Sequence, residues 1–227
     1  MSGVHIALLA IGAVGLARIA YTIFLSQEAR TTRALANRPR TRIRDAAEGT
    51  VRVTGRVRRR GDLLKAPVSG RPCVAYQLLV EEDNDGWGQL RELWDARPFV
   101  IADETGEALV DTVAGPFRLA LDSDERGGTE LFDQIGEAQR QAIVSVGSFE
   151  SPGRPRLNRR YREGILREGE TVAVGGRGLW ETSAEGTSAN LRDPPKWLVL
   201  RGTVDEPLLI SDSLDAIAPE FSRVPRR

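Results

Sequence analysis

The stretch LLKAPVSGRPCVAYQLLVEE, residues 63–82, decides how this chain is read. A turn punctuated by Pro67 and Gly70 runs straight into an apolar segment at residues 73–80, which reads as a β-strand. The polar run EEDNDGWG at residues 81–88 then marks a hairpin tip, and residues 90–94 return as the partner strand. The unit also holds Cys73, the only cysteine of the chain.

The same periodicity extends in both directions. Residues 50–57, TVRVTGRV, alternate polar and apolar, the signature of a half-buried strand, and residues 58–61 break the pattern. Residues 98–102 and 108–113 flank Asp103-Glu104-Thr105-Gly106, a second hairpin signal, and residues 117–121 continue in β style. Residues 130–146 differ: Leu131, Ile135, Ala138, Ala142 and Ile143 fall at helical spacing, before a Pro/Gly-rich loop at residues 148–156. Strands resume at residues 171–175 and 197–200. The expected fold is mainly β, a small barrel-like or sandwich domain with one short helix, preceded by a transmembrane helix. An internal echo links EGTVRVTGR at residues 48–56 with EGETVAVGGR at residues 168–177, each a turn, a short alternating strand and then glycine. Two readings stand for it, a duplicated barrel-like unit or two unrelated hairpins.

Residues 4–25, VHIALLAIGAVGLARIAYTIFL, are long enough to span a bilayer, which takes roughly 20 apolar residues. Arg18 lies close enough to the far end to snorkel, beside Tyr21 and Phe24 as an aromatic anchor. No basic residue precedes the run, and the nearest small-x-small site, Ala34-Leu35-Ala36, lies well past it, so a retained anchor is expected over a cleaved signal peptide. Arg30, Arg33, Arg38, Arg40, Arg42 and Arg44 all follow the run. The positive-inside rule therefore places the rest of the chain on the cytoplasmic face of the cell membrane, as a single-pass protein. These arginines either only set that topology or also face anionic lipid.

Charge is zero overall but unevenly placed. Residues 1–60 hold 12 basic and 3 acidic side chains, net +9; residues 61–227 hold 20 basic and 29 acidic, net −9. The excess of arginine over lysine fits a GC-biased genome better than nucleic-acid binding, because no aromatic-arginine motif accompanies it. One cysteine excludes an internal disulfide framework. As a nucleophile Cys73 would need a base, and the only histidine, His5, lies in the anchor; a buried strand residue is expected instead. Asp83-Asn84-Asp85-Gly86 lacks calcium-loop spacing, and Gly175-Gly176-Arg177-Gly178 lacks the Lys-Ser/Thr of a phosphate loop. No metal site and no cofactor are expected. Arg154, Arg156, Arg159, Arg160 and Arg162 form a second basic cluster, read either as lipid-reaching or as a solvated loop.

Four blocks together resemble a family. LKAPVSGRPCVAY (residues 64–76) with VEE (80–82), PFVIADETG (98–106), YREGILREGE (161–170) with VAVG (172–175), and PLLISD (207–212) follow in order. They are similar to the GIDE domain, also called BAM or "beside a membrane", of organelle outer-membrane ubiquitin ligases. The family-motif positions are Pro67, Ser69, Cys73, Tyr76, Glu81, Pro98, Phe99, Gly106, Glu163, Gly169 and Gly175. In those ligases a second span and a RING finger follow. A RING needs eight Cys or His ligands for two zinc ions. This chain offers only Cys73 and His5, so ligase activity does not transfer with the resemblance.

The resulting organisation is a signal anchor at 1–26, a basic juxtamembrane linker at 27–42, the GIDE/BAM-like domain at 43–215 and a tail at 216–227. The implied role is a non-catalytic, membrane-anchored interaction or sensing module with an unidentified protein partner. The alternatives are a component of a ubiquitination-like pathway with a catalytic partner in trans, and a purely structural envelope protein.

Overall fold

The structure is a computed structural model that describes residues 27–83, 87–128, 159–182 and 196–218. Its centre is a ring of five strands. β1 (Gly49–Arg59) runs antiparallel to β11 (Thr171–Thr182) from Gly49↔Gly178 to Arg56↔Thr171, then passes to β6 (Phe99–Ala102) from Arg56↔Ala102 onward. β6 pairs antiparallel with β7 (Glu107–Asp111), β7 parallel with β12 (Lys196–Arg201), and β12 antiparallel with β11, which closes the ring. In ring order these strands are first, second, third, fifth and fourth along the chain, the connectivity of an OB-type Greek-key barrel. Strand alternation fills the interior. Val51, Val53 and Val57 of β1 meet Phe99, Ile101, Val110, Val172, Val174, Leu198 and Leu200 in one cluster. Each such side chain contributes about 2 kcal/mol relative to exposure.

Two further strands extend the barrel. β13 (Leu208–Ser211) pairs with β11 at Ala173–Gly175, and β8 (Phe117–Ala120) lies parallel to β13. A second sheet, antiparallel throughout, has the order β5 (Trp87–Ala96), β4 (Ala75–Asp83), β10 (Arg159–Leu166), β9 (Glu125–Gly128). A short hairpin of β2 (Leu64–Lys65) and β3 (Pro72–Cys73) sits beside it. Val74 joins barrel and sheet, donating its amide to Leu166 O at 2.8 Å while its carbonyl accepts Arg97 N at 2.8 Å.

Two helices cover the outer face of β11 and β13. α1 (Gln27–Ala36) and α2 (Leu214–Ile217) enclose Leu35, Ala173, Leu209 and Ala216 in a separate apolar cluster. Arg52 joins them: it points outward from β1, yet the helices leave it 1% exposed. Its guanidinium donates to Arg38 O at 2.8 Å just beyond α1, and to Ala216 O and, at 3.1 Å, Ala218 O at the end of α2. A cation there meets carbonyls that the helix ends cannot satisfy themselves.

Several expectations meet these observations. The mainly β, barrel-like reading agrees with the fold. The strand expected at residues 73–80 is broken at Val74, so Cys73 belongs to the small hairpin opposite Leu64. The two echo segments form the paired strands β1 and β11 of one barrel, not the openings of two barrels. Residues 27–42, read as a linker, contain α1 with fully buried Leu35, and Ala216 of the expected tail is fully buried too. Among the described residues no helix is long and apolar enough to cross a membrane. The expected span at residues 4–25, the expected helix at residues 130–146 and the loop at 148–156 lie outside the described residues.

Candidate functional site

The turn that opens the deciding stretch is held from below by a carboxylate. Glu163, on β10, is fully buried, and its Oε1 and Oε2 accept the backbone amides of Val68 and Ser69 at 2.7 and 2.9 Å. The turn also closes on itself, with Gly70 N donating to Ala66 O at 3.0 Å and Ala66 N to Arg71 O at 2.9 Å. A carboxylate that accepts two backbone amides in a dry setting fixes the backbone firmly. Pro67 and Ser69 stay half-exposed above it, and Arg71 forms an ion pair with Glu125 at 3.6 Å.

Cys73 lies beneath the same turn, packed with Ala66 and Ile165 against Leu64 and Tyr76. Its Sγ is 3.9 Å from Leu64 O. Burial first, then the nearby Glu163 and Asp95 carboxylates, push the thiol up to about 12. Burial likewise raises the Tyr76 phenol, with Asp95, Cys73 and Glu163 adding to it. At neutral pH a thiol titrating near there is ionised in only about one molecule in 10⁵. This is a packed, protonated side chain, as expected from the sequence.

Thus Pro67, Ser69, Cys73, Tyr76 and Glu163, drawn from two distant blocks of sequence, meet around one surface turn. The other motif positions lie elsewhere. Phe99 is buried in the barrel core behind half-buried Pro98, and Gly106 donates its amide to Asp103 Oδ1 at 3.0 Å. Gly169 adopts φ 88°, a left-handed conformation that suits glycine, in the turn before β11. Gly175 admits α1: a Cβ there would stand 2.7 Å from Leu35 Cδ2. Glu81 accepts Arg160 Nε at 2.6 Å and lies 3.7 Å from Arg162 Nε. Arg160 and Arg162 of the second basic cluster therefore face carboxylates, since Arg162 also reaches Glu28 at 3.7 Å; Arg154 and Arg156 lie outside the described residues.

The six arginines after the expected anchor are not equivalent. Arg38 is half-buried in an ion pair with Glu206 at 3.0 Å, and Arg42 lies 3.7 Å from Glu104. Arg33 is half-buried on α1, whereas Arg30, Arg40 and Arg44 are exposed. Sequence reasoning misses Arg52 and the carboxylate group of Glu28, Asp122 and Asp212. Asp212 Oδ1 accepts Asp122 N at 2.7 Å, and burial, reinforced by the Asp122 charge, lifts its carboxyl to about 7. Burial also raises Glu28, against the pull of Arg162. A lone acidic residue after an apolar strand gives no sequence signal of either kind.

No protein-family model, curated protein or solved structure is significantly similar to this chain.

Proposed function

We propose that this chain is a membrane-anchored interaction or sensing module of the GIDE/BAM kind, non-catalytic by itself, with its β domain on the cytoplasmic face. In this reading residues 4–25 span the membrane once, and the turn at residues 66–70 is the recognition element. The observation that carries it is the use of Glu163. A fully buried carboxylate is spent on holding the Val68 and Ser69 amides, which pre-organises a half-exposed turn for binding. The adjacent Cys73 thiol is protonated at neutral pH, so the turn presents a shape and not a nucleophile.

Site-specific photo-crosslinking in intact cells tests the proposal. A crosslinker at Ser69 should capture a discrete partner, one at exposed Arg44 should not, and Glu163→Gln should abolish the Ser69 product while the protein stays in the membrane fraction. Identical products from both positions, or recovery in the soluble fraction, would overturn it. A reporter fused after Arg227 should give a cytoplasmic signal.

A further inference from the structure

We propose that the open groove alongside β1 binds a phosphate-class oxyanion, held by Arg40, Arg56 and the Thr54 hydroxyl. The inference does not need the membrane reading, because it rests on the side chains that line this groove, Arg40 ahead of β1 and Thr54 and Arg56 on it. The groove has a volume of about 510 Å³ and lies where β1 leaves β11 and joins β6. That size suits a small ligand.

Its charges are unevenly spent. Asp103 is saturated: Oδ2 accepts Ile43 N at 2.9 Å, and Oδ1 accepts Thr105 N, Thr105 Oγ1 and Gly106 N at 2.6, 2.7 and 3.0 Å. Burial alone would raise that carboxyl, but these donors hold it below its ordinary range, so it stays an occupied anion. Of the other two lining carboxylates, Glu104 lies 3.7 Å from Arg42 and Glu168 3.7 Å from Arg59, while Arg58 is paired with Glu107. Arg40 and Arg56, both exposed and lining the groove, have no ion-pair partner among the described residues. The strand register explains why for Arg56. Its direct cross-strand neighbours are Ala102 and Thr171, neither of which bears a charge.

Thr54, which lines the same groove, is 3% exposed, and its Oγ1 has no hydrogen-bond partner among the described residues. A buried hydroxyl left unpaired calls for a partner. Two guanidinium forks and one hydroxyl donor match the donor set that a tetrahedral oxyanion accepts. The same chemistry could come from a free phosphate-bearing solute or from a lipid headgroup.

The test is isothermal titration of the full-length protein in neutral detergent micelles, at low ionic strength. The probes are inorganic phosphate and, in a second arm, monomeric dihexanoyl phosphatidic acid. Saturable binding in the millimolar range is expected, weakened about tenfold by Arg56→Gln or Arg40→Gln and about threefold by Thr54→Val, and unchanged by Arg44→Gln. Arg40 and Arg56 are exposed, so their variants keep the fold, and an unchanged thermal midpoint verifies it. Sensitivity of phosphate binding to these variants supports a free solute as the source. Sensitivity of phosphatidic acid binding alone supports a headgroup. No saturation by either probe up to about 50 mM, or binding equal in all variants, overturns the proposal.

Discussion

Glu163 Oε2 stands 2.9 Å from the backbone nitrogen of Ser69, a residue 94 positions earlier in the chain. Because the same carboxylate also takes the Val68 amide, one buried charge ties β10 to the turn that begins the second sheet. Its replacement by an amide of equal size is therefore a sharp probe. In Glu163→Gln the side-chain NH₂ would face an amide donor, leaving one hydrogen bond lost and two donors opposed. A destabilisation of about 2–3 kcal/mol is expected in urea unfolding followed by tryptophan fluorescence. A loss below about 1 kcal/mol would contradict the role given to this carboxylate.

Arg52 should matter in a different place. Its guanidinium is the shared donor for Arg38 O, Ala216 O and Ala218 O, so Arg52→Met would leave the ends of both helices unsatisfied. A loss of about 3 kcal/mol is expected. Hydrogen exchange should accelerate in α1 and α2 while β6 and β7 keep their protection. Uniform acceleration across the barrel would refute a local clamp.

Cys73 gives a pH prediction. Its folded value, about 12, lies above the ordinary 9.0, so folding favours the protonated thiol. The stability it contributes is fully present below pH 9 and is lost as pH rises toward 12. At pH 8 the native protein should resist a disulfide reagent that labels it readily in urea. Rapid labelling of the native state would show the thiol to be open.

Asp212 gives a second. Burial raises its carboxyl from 3.8 to about 7, so the folded state favours the protonated form. Its contribution is fully present below about pH 4 and is lost as pH rises through 7. Asp212→Asn keeps an oxygen for the Asp122 amide and removes the charge. Its thermal midpoint should exceed that of the parent at pH 8 by about 3 °C, a shift of ~1 kcal/mol for a chain of this size. At pH 4 the two midpoints should coincide, and an equal gain at both pH values would rule out titration as its origin.

The apolar strands are legible in the sequence alone. β1 shows it by alternation, whereas β6, β7 and β12 show it as short continuous apolar runs at residues 99–101, 108–110 and 197–200. β10 is not legible as a strand in the sequence, and the reason is physical. Tyr161, Glu163 and Ile165 share its inward face, so the middle inward slot holds a charge where alternation expects an apolar side chain. α1 escapes notice for the opposite reason: its charged side chains make it look like a solvated linker, while the apolar contact that orders it comes from Ala173, Leu209 and Ala216.

Residues 63–82 by themselves determined a turn entering a strand and a single cysteine without a catalytic partner, within a chain whose periodicity is mainly β. Those are properties of nearest neighbours and of composition. Tertiary structure decided that the strand breaks at Val74, that the echoing segments close one barrel, and that the turn rests on Glu163. A buried charge is tolerated only where donors from elsewhere in the chain converge on it. That convergence spans 95 residues between Val68 and Glu163, and no local pattern records it.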